Sequence, residues 1–146
     1  MKNKILRCHI PYDNGENPAT SKNDNKPRRL LIYEDTSKFL VCFNITKLTQ
    51  NNMYKLIQYK NMLKISKIKN PSLLKCDSIL KLNKIFVIEK FDGIEKSLFS
   101  NVELAISDLI RIEERVKEIY KSDLDQEIVK ISKKVFQFLN NDLYEV

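Results

Sequence analysis

Glycine is nearly missing. Gly15 and Gly93 are the only two in 146 residues, so the chain has no Gly-rich loop of the kind that cradles phosphates. His9 is the only histidine, which argues against a Ser-His-Asp arrangement and against zinc sites built on His pairs. Cys8, Cys42 and Cys76 lie far apart and form no CxxC pair. Each sits in an apolar context (ILRCHI, FLVCFNI, SLLKCDSI) and reads as a free, buried strand cysteine. No apolar run approaches the roughly 18 residues of a membrane span. The start, MKNKILRCHIPYD, meets Arg7, His9 and Asp13 too soon for a signal peptide, so a cytoplasmic protein without a membrane partner is expected. Acidic residues are scarce in the first two thirds, and Glu34-Asp35 reads as a turn device. A metal-dependent nuclease needs several clustered acids, so neither a metal nor a cofactor is expected.

What the chain does have is a real core and an uneven charge. The hydrophobic fraction of 42% suffices for one domain, and the net charge is +7. Residues 1–99 carry 19 basic and 9 acidic side chains, and residues 100–146 carry 7 basic and 10 acidic ones. The basic charge therefore belongs to the first part, and it favours a polyanionic partner through phosphate contacts and counterion release.

Lys4 to Ile10 alternates as a strand. Residues 11 to 27 (PYDNGENPATSKNDNKP) hold three of the four prolines and read as a long polar loop. Leu30 to Glu34 and Phe39 to Ile45 flank a turn at EDTSK and make a hairpin. Residues 47 to 63 suit either a helical face or a strand. Leu63, Ile65 and Ile68 suggest a further strand, ended at Asn70-Pro71, and Lys84 to Glu89 is a clear one. From Ser100 the pattern turns helical. SNVE reads as a capping box, Ser100 with Glu103. Val102, Ala105, Ile106, Leu109, Ile112, Val116 and Ile119 follow at helical spacing. A break at Ser122-Asp123 introduces a second stripe through Leu124, Ile128, Ile131, Val135, Phe138 and Leu139, which predicts a helical hairpin.

With so little else available, arginine and hydroxyl chemistry remains. RNA carries its own nucleophile, the 2′-hydroxyl. Cleaving it without metal requires a held phosphate, stabilised extra negative charge and two proton transfers. Arginine offers a planar fork of donors to phosphate oxygens, and threonine a short hydrogen bond. Arg28 precedes the first hairpin strand and Thr46 follows the second, so both lie at the same end of an antiparallel pair. That spacing also suits a solvated charge and a strand-end residue.

The stretches ILRCHIPYDNGENP, KPRRLLIYED, FLVCFNITKL and PSLLKCDSILKLNKIFVIEK, in this order, resemble the PemK/MazF family of toxin ribonucleases over residues 4 to 90. Ser72 opens the last and most specific segment, in which Cys76-Asp77 matches the family's C-D and Ile79 its hydrophobic position. The resemblance implies an α+β fold: a small SH3-like curved antiparallel β-barrel over 1–98, with the C-terminal helical hairpin of 99–146 appended to the same domain. It implies a metal-independent endoribonuclease toxin that cleaves single-stranded RNA to a 2′,3′-cyclic phosphate. It further implies a homodimer and an antitoxin, protein or RNA, that blocks the groove. Arg28 and Thr46 take the catalytic positions. Lys26, Arg29, Lys47 and Ser78 fall in the RNA-binding region, with Tyr12 and His9 as base-stacking or proton-transfer candidates; His9 also suits a strand surface. The loop of residues 11 to 27 would gate the groove. Arg29 stands where the family has Pro, Ser78 where it has Gln, Leu80 where it has Arg, and Lys47 where Ser is common. A non-catalytic SH3-like module that binds nucleic acid or protein through the same face is the alternative expectation. A third is an interaction protein that works through its acidic helical hairpin.

Overall fold

A computed structural model describes residues 1–11, 26–122 and 126–144. The chain is α+β, with one six-stranded sheet and three helices among the described residues. Four antiparallel pairings build most of the sheet. β1 (Ile5–Cys8) pairs with β2 (Arg28–Asp35), and β2 with β3 (Phe39–Lys47). The second hairpin strand therefore runs to the lysine beyond Ile45. β3 pairs along β5 (Ser78–Glu89), a strand of 12 residues. The other edge of β5 is shared: β4 (Met62–Ile65) takes its first third, Ser78 to Lys81. β6 (Glu127–Ile131) takes Lys84 to Ile88 in parallel. The strand order is β1-β2-β3-β5-β4 with β6 beside β5, and the sheet is open, without pairing between β1 and β4.

Period-2 alternation gives the sheet two apolar faces. On one, Leu6, Cys8, Leu30, Ile32, Leu40 and Cys42 meet Phe86, Ile88, Val129 and Ile131. On the other, Ile5, Leu31, Phe43 and Ile45 meet Leu63, Ile65, Leu80 and Leu82. Leu82 and Phe86 are both even positions of β5 yet face opposite ways. An irregularity in the β3–β5 register, between Cys42 and Asn44, accommodates the switch. Helix α2 (Ile106–Lys121) covers the second face through Ile112 and Ile119. Helix α3 (Lys133–Leu139) covers the first through Phe136, which packs against Phe91 and Tyr144.

The expected helical hairpin is corrected here. After α2 the chain enters the sheet as β6 and then forms α3, so the two helices lie on opposite faces. The run Glu127–Ile131 (EIVKI) is rich in β-branched residues, whose stiff side chains favour strands. Val129 and Ile131 are buried and Ile128 is about half exposed, a strand alternation that the helical stripe had absorbed. Ser132 then caps α3, its Oγ accepting from the Val135 N–H.

The capping box at Ser100 also fails. The Ser100 Oγ accepts from the Val102 N–H, and Glu103 accepts from Asn3 Nδ2. The helix begins at Ile106, and the N–H of Ala105, just before it, donates to Asn70 Oδ1 at 2.8 Å. Asn70, 3% exposed, also donates through Nδ2 to the Asp108 carboxylate at 2.8 Å and to the Ser66 carbonyl at 3.0 Å. A distant asparagine thus serves the N–H of the N-cap residue, the part a capping-box glutamate plays. In the ambiguous stretch, helix α1 (Tyr54–Gln58) forms one turn and a half before β4, with no buried residue. Ile68 lies outside β4 and is exposed.

Candidate functional site: a basic cleft at the end of the first hairpin

The start of β2, the end of β3 and the segment leading into β5 meet around a cleft of about 490 Å³. Six of the residues singled out from the sequence line it: Lys26, Arg28, Arg29, Thr46, Lys47 and Ser78. The antiparallel register brings them together. Arg29 lies opposite Ile45, so Arg28 starts its strand beside Thr46, next to last in the neighbouring one. Thr46 in turn faces Ile79, and Lys47 faces Ser78. Leu74, Lys75 and Cys76 close the cleft from the connection before β5.

The electrostatics are one-sided. Lys26, Arg28, Arg29, Lys47 and Lys75 line the cleft, and among the described residues no carboxylate does. Arg29 is held in place. Its Nη1 donates to the Leu73 carbonyl at 3.0 Å, and its guanidinium lies 4.3 Å from the centre of the Phe99 ring. Arg28, half-buried, sits opposite Cys8 of β1. Burial pushes the Cys8 thiol up to about 12, which keeps it protonated at neutral pH and no nucleophile. No described residue hydrogen-bonds the Thr46 hydroxyl. The Ser78 Oγ donates to the Cys76 carbonyl at 3.1 Å, so this serine shapes the turn.

One expected contributor, His9, is not in this cleft. His9 lines a second cleft, of about 320 Å³, with Arg7, Lys96 and Phe99. Its backbone is clamped by Asn140, which accepts from the His9 N–H at 2.8 Å and donates to its carbonyl at 2.9 Å. β1 ends at Cys8, and this clamp holds the residue that follows it against the second cleft. Tyr12 and most of the long polar loop lie outside the described residues. Of the three cysteines, Cys8 and Cys42 are buried in strands as expected, and burial raises both thiols. Cys76 is neither buried nor in a strand; it stands in the cleft wall.

Sequence reasoning missed Asn44, which is 3% exposed and lines the cleft between the arginines and β5. The signal was present, as FLVCFNIT places one amide inside an apolar strand. Phe99, the platform beneath Arg29, gave no such signal, because it comes from the far side of the chain.

No protein-family model matches the sequence, and no curated protein matches it. Among the described residues, no group of three or more His, Cys, Asp or Glu stands close enough to hold a metal ion, and no helix is long and apolar enough to cross a membrane.

Proposed function

We propose that the chain is a metal-independent endoribonuclease of the PemK/MazF type, the toxin of a toxin–antitoxin pair, acting on single-stranded RNA in the cytoplasm. The observation that carries this reading is the convergence of Arg28 and Thr46 on one cationic cleft that no carboxylate lines among the described residues. A phosphodiester there meets guanidinium donors from Arg28, a hydroxyl from Thr46 and an amide from Asn44. Arg29, braced by Leu73 and Phe99, supplies a second fixed positive charge. Such preorganised donors stabilise charge that develops in the transition state without reorganising at the moment of reaction. The RNA 2′-oxygen attacks the adjacent phosphorus as its proton leaves. The bond to the 5′-oxygen breaks, and that oxygen takes up a proton, leaving a 2′,3′-cyclic phosphate and a 5′-hydroxyl with no water consumed. In this reading the open, irregularly registered sheet β1-β2-β3-β5-β4 is the divergent counterpart of the family's SH3-like barrel. The protein would act as a homodimer and be neutralised by an antitoxin that covers the cleft.

The test is cleavage of a mixed-sequence single-stranded RNA in excess chelator by wild type, Arg28→Ala and Thr46→Val. Wild type is expected to cut and leave cyclic phosphate ends, and each variant to lose 10²-fold or more, on the order of one donor lost from a charge-stabilising site. Wild-type protein that binds the RNA but leaves it intact would overturn the reading in favour of a non-catalytic binding module.

A further inference from the structure

Another pocket, of about 270 Å³, opens between α1 and the β4–β5 edge, lined by Tyr54, Lys55, Tyr59, Asn61, Met62 and Asn83. Two of its polar side-chain atoms lack a partner. The Oδ1 atoms of Asn61 and Asn83 are buried without a hydrogen-bond partner. An acceptor removed from water and left unpaired is costly, and native structures seldom keep one without a reason. The terminal torsion of an asparagine is broad and roughly two-fold, so either amide can turn its oxygen toward an incoming donor. Tyr54 and Tyr59 are 45% and 47% exposed, and helix α1, which carries Tyr54, buries none of its residues. Two half-open aromatic rings beside two unpaired amide oxygens are the elements of base recognition: a face for stacking and an edge for hydrogen bonds.

We propose that this pocket is a subsite for one unstacked nucleobase of a single-stranded nucleic acid. Its volume is below the roughly 300 Å³ at which pockets for drug-sized ligands begin, which suits a single planar base. A metal ion is disfavoured because, among the described residues, no carboxylate lines the pocket and Lys55 adds a positive charge. The sheet links the pocket to the basic cleft. Asn44 faces Lys81, and Lys81 faces Met62; one row along, Thr46 faces Ile79, and Ile79 faces Lys64. Cross-strand partners project to the same face, so Asn44 and Thr46 of the cleft share a face with two lysines and with Met62 of the pocket. Along β5 the distance from Ser78 to Asn83 is roughly 15 Å, which a few nucleotides of single strand cover. The assignment of the base to RNA rests on the endoribonuclease reading; the base subsite itself does not.

The experiment adds the four ribonucleoside 5′-monophosphates and, as the base-free probe, ribose 5-phosphate to the full chain, and follows the tyrosine ring resonances. At least one monophosphate is expected to shift the Tyr54 and Tyr59 signals and to bind at least tenfold more tightly than ribose 5-phosphate. Tyr59→Ala should weaken that binding about tenfold or more, the scale of one lost stacking contact, and Tyr59→Phe should restore it. Asn83→Leu should reduce the preference among the four bases. Arg28→Ala should leave monophosphate binding at this pocket unchanged while abolishing RNA cleavage. Equal binding of ribose 5-phosphate, or indifference to Tyr59→Ala, overturns the subsite. If RNA is cut in an Arg28-dependent way and these probes fail to bind, the subsite falls and the endoribonuclease reading stands. If the probes bind as expected and RNA is never cut, the reverse holds.

Discussion

Asn70, buried in a loop, ties three parts of the molecule together, and replacing it by alanine should be costly. The side chain caps α2 through the Ala105 N–H, donates to the Asp108 carboxylate and donates to the Ser66 carbonyl. Asp108 is fully buried, and its other partner is Arg111 at 2.9 Å. Removing a helix cap costs about 1 kcal/mol. Removing a hydrogen bond to a buried charged group costs about 1.5–3 kcal/mol. The Ser66 carbonyl contributes less, and contributions centred on one side chain do not add fully. The expected loss for Asn70→Ala is therefore about 3–4 kcal/mol, a large share of the 5–15 kcal/mol typical of a domain. Urea unfolding followed by circular dichroism reads it directly. With a slope of about 1–3 kcal/mol/M, the midpoint should fall by about 2 M. Asn70→Asp retains an acceptor for the Ala105 N–H but sets a second carboxylate against Asp108, so it should be at least as destabilising. A loss below about 1 kcal/mol in Asn70→Ala would show that water replaces the asparagine, and the idea of a distant cap would be wrong.

If Lys26, Arg28, Lys47 and Lys75 each neutralise one RNA phosphate, the logarithm of the binding constant should fall with the logarithm of salt with a slope of about −3, and Lys47→Gln should lessen it by about 0.7; a slope near zero would remove the cleft from RNA binding. Native protein should offer one reactive thiol, Cys76, against three in denaturant, since burial raises Cys8 to about 12 and raises Cys42 as well. Bound RNA should slow Cys76 alkylation, and unchanged alkylation with RNA bound would place the RNA elsewhere. The Asp35 carboxyl is held below its ordinary value chiefly by its hydrogen bond from Lys90, at 2.6 Å, with the Met1 amino group adding to it against the opposing effect of burial. Its stabilising contribution is therefore complete above the ordinary carboxylate value and lost as pH falls through the lowered one. Asp35→Asn should destabilise at neutral pH and flatten the acid limb of the stability profile; an unchanged acid limb would assign the acid sensitivity to other carboxylates.

The local elements that the sequence disclosed are those whose signals are local. The hairpin of β2 and β3 is marked by two apolar runs and a polar turn, and α2 by its repeat at helical spacing. The convergence of Arg28 and Thr46 follows from that hairpin alone, because antiparallel strands return their ends to one place. The errors came where two patterns share the same residues. Ile128 and Ile131 fit a helical stripe as well as Val129 and Ile131 fit a strand, and a free edge on β5 next to Lys84–Ile88 decided for the strand. Ser100 with Glu103 has the composition of a helix start. The start moved to Ile106, where Asn70, 35 residues earlier, satisfies the Ala105 N–H that a capping-box glutamate would have served.

By itself, then, the sequence determined the basic first part, the first hairpin, the long amphipathic helix and the pairing of an arginine with a threonine at one strand end. All of these depend on neighbours within a few residues or on a single turn. Only the tertiary structure decided that the sheet stays open, that the chain's last third straddles it, that Phe99 braces Arg29, and that Asn61 and Asn83 share a pocket with two tyrosines. These depend on which strand edges and faces remain to be covered after the local elements have formed, and that competition is settled by burial across the whole molecule.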